Sequence, residues 1–229
     1  MAEEITDIVS LLKMVIKYQD KKGILYRGVT ESGLDLKPKV GWVARKDGDK
    51  RDILEYEQNL LRLFKERAVP YLEFTPSTEW DWLALASHHG LPTRLLNWTW
   101  NPLVAAYFAV AEEYDKDSEI FVYDSKNEDV VSEEDKKRNP FTRSMPVRKF
   151  TPSHVTRRIA AQSGIFTIYF DEADYNGGVT LNIDRYVIPR NSRKTMKKQL
   201  YICGVHQESL FPGLDGLARH LEWLKTDSY

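Results

Sequence analysis

A single cysteine, Cys203, stands in 229 residues. That excludes an internal disulfide and any zinc site built from several thiols. No apolar run approaches the roughly 20 residues that span a bilayer, so no membrane partner is expected. The opening residues, MAEEITDIVS, are acidic and lack the basic start and apolar centre of a secretory signal. Neither sign of charge prevails: 33 Lys and Arg face 34 Asp and Glu, for a formal net charge of −1. A protein that coats nucleic acid with its whole surface is disfavoured, while a local basic patch is not. Also missing are a G-x-G-x-x-G turn after a strand, a G-x-x-x-x-G-K loop, a G-x-S-x-G elbow and H-E-x-x-H. His88 and His89 are adjacent, not spaced for one helical face. The expectation is a cytoplasmic protein without a metal site.

What is present is ample material for a core: 42% hydrophobic and 12% aromatic residues, with 29% charged. The length fits one domain, 1–229. Apolar spacing predicts a helix over Ile5–Asp20, with Thr6 or Asp7 as cap, inside an N-terminal helical segment 1–22. Ile24–Gly28 reads as a strand. Helices follow around Ile53–Phe64 and after Ser77 or Thr78, the latter closed by Gly90 and Pro92. Thr93–Thr99 reads as a strand. Asn101-Pro102 then opens a nearly all-apolar helix to Glu113. Strands are expected at 119–123, 165–170 and 179–188, and short helices at 153–161 and after Asn191 or Ser192. A final amphipathic helix covers 214–224. The charged stretch 124–144 is the expected mobile loop or lid. The sum is an α+β fold, helices early and strands from the middle onward, with a helical N-terminal part packed on a mixed or antiparallel β core.

Four places concentrate polar chemistry. The run Ser87 to Pro102 packs His88, His89, Thr93, Arg94, Asn97, Trp98, Thr99 and Trp100 between a helix end and a helix start. Such groups are costly to bury unpaired, so they either satisfy one another in a structural corner or face a cleft. Asn101 is assigned to capping alone. In Tyr26-Arg27-Gly28, a guanidinium at a strand end would grip an anion as a fork while Gly28 lets backbone approach a ligand; the alternative is a structural ion pair with a glycine turn. Gln162, ahead of a strand, offers donor and acceptor, or simply ties down a loop. A basic run, Arg190, Arg193, Lys194, Lys197 and Lys198 with Tyr186 and Tyr201 near it, is either a nucleic-acid patch or a solvated helix face.

At these residues the sequence resembles the FRG domain family, named for an aromatic-Arg-Gly motif. Tyr26-Arg27-Gly28 carries that motif. The stretch from Trp82 through Tyr107-Phe108-Ala109 resembles the family's long central signature, and Gln162-Ser163-Gly164-Ile165-Phe166 its late block. The ending Ser209-Leu210-Phe211-Pro212 also fits. Ser87, His89 and Asn97 depart from the family's usual Gln, Tyr and Asp. A weaker, fold-level resemblance is to ADP-ribosyltransferases.

The second resemblance implies a site for NAD. Arg27, His88, Arg94 and Gln162 would be catalytic, and Tyr26, Gly28, Thr93, Trp98 and Thr99 would bind the cofactor. Arg27 and Arg94 would grip phosphates or a ribose hydroxyl, and His88 would orient a ribose or carry a proton near neutral pH. Trp98 or Tyr26 would stack on a ring, while Thr93, Thr99 and Gln162 hydrogen-bond ribose or carboxamide. The usual glutamate has no counterpart: Gln162 occupies its place, and Glu119 or Glu208 would have to reach the cleft from elsewhere. The expected function is an NAD-dependent ADP-ribosyltransferase-like toxin or anti-phage defence effector acting on a protein or nucleic-acid acceptor, with a cognate antitoxin as a further partner. The alternative is a non-catalytic nucleic-acid or nucleotide-binding module.

Overall fold

The computed structural model describes residues 3–43, 52–72, 75–113, 115–125, 130–142, 146–153, 156–170, 174 and 181–226. Strands are β1 (Glu3–Glu4), β2 (Ile24–Val29), β3 (Leu95–Thr99), β4 (Ser118–Asp124), β5 (Arg148–Phe150), β6 (Gly164–Ile168) and β7 (Ile183–Ile188). Helices are α1 (Ile8–Ile16), α2 (Ile53–Ala68), α3 (Glu79–His88), α4 (Pro102–Val110), α5 (Glu133–Lys136), α6 (Arg157–Ala161), α7 (Arg193–Ile202), α8 (Gln207–Leu210) and α9 (Leu214–Thr226). The α+β class holds. The expected division into early helices and later strands does not, because strands are threaded through the chain from Glu3 and the last part is helical.

The strands form one seven-stranded sheet in the order β1-β7-β4-β2-β3-β6-β5. Among these strands only β1 and β7 pair in parallel. Segment 1–22 is therefore more than a helix. Ile5 donates its amide to the Val187 carbonyl at 2.8 Å, and its side chain is buried. The helix begins only where Asp7 caps it, accepting from the Ser10 amide at 2.7 Å. The strand expected over 179–188 is ordered by pairing with β4 from Ile183 onward, and Val179 lies outside the described residues.

Strand alternation sorts the side chains. Ile24 and Tyr26 of β2, with Ile120 and Val122 of β4, pack against α1, α4 and α7. Leu25, Leu96, Trp98, Phe121 and Tyr123 pack on the opposite face. A third cluster joins Trp80, Leu83 and Leu85 of α3 to Leu95, Phe150, Phe166 and Ile168. Asn101 starts α4 as expected, its side-chain oxygen accepting from the Leu103 amide at 2.9 Å. The helix then presses onto β2 at Gly28, where a Cβ would sit 1.9 Å from the Ala105 carbonyl oxygen.

The described part of 124–144 is not a bare loop. Ser132 and Asp135 form a capping box for α5. Val130 bridges to Lys149, and Val131 and Phe141 are buried in the α3 cluster. Two apolar side chains in the core anchor the segment despite its charge.

Candidate functional site

Between β2 and β3 the sheet parts. β2 pairs with β4 along its length, from Ile24↔Asp124 to Val29↔Glu119. β3 pairs with β6 from Leu95↔Ile168 to Thr99↔Gly164. The two central strands share one registered pair, Tyr26↔Thr99. Past that pair Arg27 reaches across and donates from Nη1 to the Asn97 carbonyl at 2.7 Å. A hollow of about 220 Å³ occupies this parting, lined by Tyr26, Arg27, Gly28, His88, Asn97, Trp98, Thr99, Phe108, Arg158, Gln162 and neighbouring residues of β6. Alternation places Arg27 on the face of Leu25 and Trp98, while Tyr26 and Gly28 face α4; the parting lets both faces contribute to one cavity.

The electrostatics are one-sided. Arg27 is half-buried and no described carboxylate pairs with it. Its Nε is enclosed and has no hydrogen-bond partner. Burial pushes its pKa down to about 10, against a small opposing pull from Tyr169. His88 ends α3, and its Nε2 is also buried without a partner. Burial first, then the charge of Arg158 and the neighbour His89, hold its pKa at about 3. His88 is therefore neutral at physiological pH. It can donate or accept a hydrogen bond, but it is not the near-neutral proton carrier that its residue type suggested. His89 turns outward as the exposed C-cap of α3.

Two expected members stand elsewhere. Arg94 is sealed in the core, 1% exposed, with its Nε 2.8 Å from the Glu57 carboxylate. Its own amide donates to the same carboxylate at 2.6 Å, and its guanidinium lies 4.9 Å from the Phe141 ring centre. It ties α2 to β3 and is not available to a phosphate. Thr93 is buried beside it, accepting from the Leu95 amide at 3.3 Å, and does not line the hollow.

Other members line the hollow with their polar atoms already engaged. Thr99 donates its hydroxyl to the Gln162 carbonyl at 2.7 Å and accepts from the Asn101 amide at 3.0 Å. Gln162 gives its carboxamide nitrogen to the Leu210 carbonyl at 3.0 Å. Trp98 donates Nε1 to Thr167 at 3.0 Å and packs its ring 5.3 Å from Tyr123. These bonds build the wall; Gln162 and Thr99 act as braces between β3, α6 and α8. Gly28 has a structural duty too: its missing side chain admits the α4 backbone, not a ligand. Glu119 does not reach the cleft, being buried where it accepts from the Gly33 amide at 3.2 Å and faces Arg185 at 3.7 Å.

Sequence reasoning named Asn97 and Phe108 but gave neither a site role, and it passed over Arg158. Arg158 lies half-buried with its guanidinium 4.3 Å from the Phe211 ring centre and its Nε unpartnered. Burial, and the like charge of Arg219, lower its pKa. Arg158 and Phe108 also line a second cavity of about 830 Å³ bounded by Tyr107, Glu112, Glu113, Lys197, His206, His220 and Trp223. The two hollows therefore adjoin at that pair. Asn97 accepts from the Ser87 hydroxyl at 3.2 Å.

The basic run divides: Arg190, Lys194 and Lys198 face solvent, while Arg193 and Lys197 turn inward. Arg193 is 1% exposed and donates to the carbonyls of Thr30, Lys116 and Glu112 at 2.8, 3.1 and 2.6 Å. Lys197 donates to the Ala111 carbonyl at 2.8 Å, and burial first, then Arg193, push its pKa down to about 8. Lys194 and Lys198 are exposed. No described helix is long and apolar enough to cross a membrane.

Compared with known families, residues 22–118 match the model of the FRG domain. The match runs from just before β2 into β4 and takes in Arg27, His88 and Asn97; Arg158 and Gln162 fall beyond it. No curated protein and no solved structure matches the chain.

Proposed function

We propose that this chain, which carries an FRG domain, binds NAD where β2 and β3 part. It would transfer the ADP-ribose to a protein or nucleic-acid acceptor, as an effector of the toxin or anti-phage defence type acting in the cytoplasm. The observation that carries the reading is Arg27, a guanidinium drawn out of water with a free Nε and no described carboxylate beside it. A phosphate supplies both the missing charge and a fork-shaped acceptor. The neutral His88 supports the same ligand, since its unpartnered Nε2 suits a ribose hydroxyl. The hollow of about 220 Å³ is below the roughly 300–1,000 Å³ of ordinary ligand sites. A ligand must therefore extend past Phe108 and Arg158 into the larger cavity, which suits an elongated dinucleotide.

In this reaction the bond from the ribose C1′ to the nicotinamide nitrogen breaks. Its electron pair leaves with nicotinamide and neutralises the ring charge. A lone pair of the acceptor forms the new bond at C1′, and the acceptor's proton passes to solvent. Arg27 holds the phosphate end and His88 orients the ribose, so binding energy is spent on geometry. A cognate antitoxin would act by covering the mouth at Arg158.

One observation favours a second reading, a nucleotide-binding module without turnover. Among the described residues lining the hollow there is neither a carboxylate nor a histidine that titrates near neutrality. One experiment separates the two. Purified chain is incubated with NAD, free nicotinamide is measured, and the NAD-induced shift in melting temperature is recorded beside Arg27→Ala. Release that Arg27→Ala abolishes supports transfer. A shift without release, lost in the variant, supports the module. No shift and no release, with a lysate of acceptors present, ends both.

A further inference from the structure

Beyond the cleft, α8 and α9 bring three metal-ligating side chains together. His206 caps α8, Glu208 sits in its first turn, and His220 lies within α9. One ligand atom from each lies within 4.8 Å of the others. His220 is 4% exposed, and its Nδ1 is sealed with no hydrogen-bond partner. A buried imidazole nitrogen left unpaired is costly, and it calls for an occupant. The two rings lie stacked, 4.2 Å apart at 15°, so the less buried His206 ring must turn about its side-chain bonds for both in-plane lone pairs to meet on one ion. The close approach is fixed by backbone: a Cβ on Gly216 would meet the Phe211 carbonyl oxygen at 1.8 Å, which pins α9 against the end of α8.

We propose that His206, Glu208 and His220 form a binding site for a first-row divalent transition ion, with zinc its natural occupant. Two imidazoles and a carboxylate are the donor set that zinc takes, and they leave a fourth tetrahedral position open. The large cavity lined by His206 and His220 lies on that side, so water or an anionic group there completes the shell. Tetrahedral ligation at about 2.1 Å asks for donors about 3.4 Å apart, so groups now within 4.8 Å of one another close by at most about 1.4 Å on binding. The hydrogen bond that stands in the way is weak: the Ser209 amide reaches Nδ1 of His206 at 3.4 Å. His206 gives up that cap either way: it binds through Nδ1, or its ring proton moves from Nε2 to Nδ1 and Nε2 binds. The sequence expectation of no metal site followed from scarce thiols and adjacent His88 and His89; His206-x-Glu208 with a distant His220 meets only through the fold.

The test needs neither NAD nor turnover. The full chain, stripped with EDTA, is titrated with Zn²⁺ against a chromophoric chelator, and Co²⁺ is added separately to read coordination by absorbance. One equivalent of each ion is expected, with a tetrahedral Co²⁺ spectrum. Glu208→Gln and His206→Gln should each weaken binding by at least the tenfold that even an outer-shell loss costs. Glu208 is exposed, so its exchange leaves the fold intact, while Cys203→Ser controls for the exposed thiol. Absence of stoichiometric binding, unchanged affinity in Glu208→Gln, or a loss confined to Cys203→Ser would overturn the site.

Discussion

Two arginines enter the interior by different routes. Arg94 arrives with its counter-charge: Glu57, fully buried, takes both its Nε and its amide. Arg27 arrives with one carbonyl and an unpartnered Nε. A third, Arg193, is satisfied by three carbonyls. The closed pair at Arg94 has no capacity left for a ligand, and the three-carbonyl site at Arg193 has little. Arg27 alone among these lines a hollow and keeps a buried donor without a partner. The lesson is that burial of a cation does not mark a binding site; burial without its complement does.

The comparison is broken most strongly at the closed pair. Glu57→Ala leaves Arg94 buried and uncompensated, and should cost about 3–5 kcal/mol of stability in urea unfolding. The double exchange Glu57→Leu with Arg94→Met removes both charges and should restore most of that loss. Arg27→Met, by contrast, relieves a desolvated cation, so unfolding should change by about 1 kcal/mol or less while the NAD-induced melting shift disappears. If Arg27→Met proves as damaging as Glu57→Ala, Arg27 is structural and the contrast collapses. Next in size is Gly28→Ala. The new methyl would overlap the Ala105 carbonyl, forcing α4 off β2 at a cost of about 3 kcal/mol. A near-neutral result would return Gly28 to the ligand side of the wall.

Much of this was readable from local pattern. Asn101-Pro102 announced α4, Ser77 or Thr78 was the expected cap of α3 and Thr78 fills it, and Tyr26-Arg27-Gly28 marked a strand that proves to border the parting. What local pattern could not rank was Arg27 against Arg94. Both stand in dense polar motifs, and the difference lies in Glu57, 37 residues from Arg94 on another element. Nothing near Arg94 in sequence signals that partner. The inward turn of the basic helix did have a signal. Arg193, Met196, Lys197 and Leu200 fall at helical spacing on one stripe, and all four are buried. Residue type suggested a solvated face, while position on the apolar stripe said core. The charged stretch before β5 misleads for a related reason, since its composition hides the two apolar anchors Val131 and Phe141.

A smaller effect sharpens the role of His88. Its folded pKa, about 3, is below the ordinary histidine value of 6.5. Between those values the unfolded chain binds a proton that the folded chain refuses. This contribution to stability is thus complete above about pH 6.5 and is lost as pH falls toward 3. Melting temperature should decline over that window, and His88→Gln should flatten the decline. His89 and His206 are also depressed, chiefly by burial, so the wild-type slope will not vanish entirely. An NAD-bound protein should show a gentler slope as well, because an anion beside Arg27 raises the pKa of His88. Identical slopes in wild type and His88→Gln would mean that the ring is open to water.

The smallest change is expected at the other cationic region. With Arg193 and Lys197 turned inward onto carbonyls, Lys194 and Lys198 are the cations that α7 shows to solvent. The double variant Lys194→Gln with Lys198→Gln should alter stability by about 0.5 kcal/mol or less. It should also leave the NAD-induced melting shift untouched, since neither residue lines the hollow. RNA binding decides whether α7 has a role of its own. If both lysines neutralise phosphates of a single strand, their exchange would reduce the salt slope of log K by about 1.4. An unchanged slope keeps recognition at the Arg27 parting, whereas a drop of that size would move nucleic-acid binding to α7 and make it independent of the cleft.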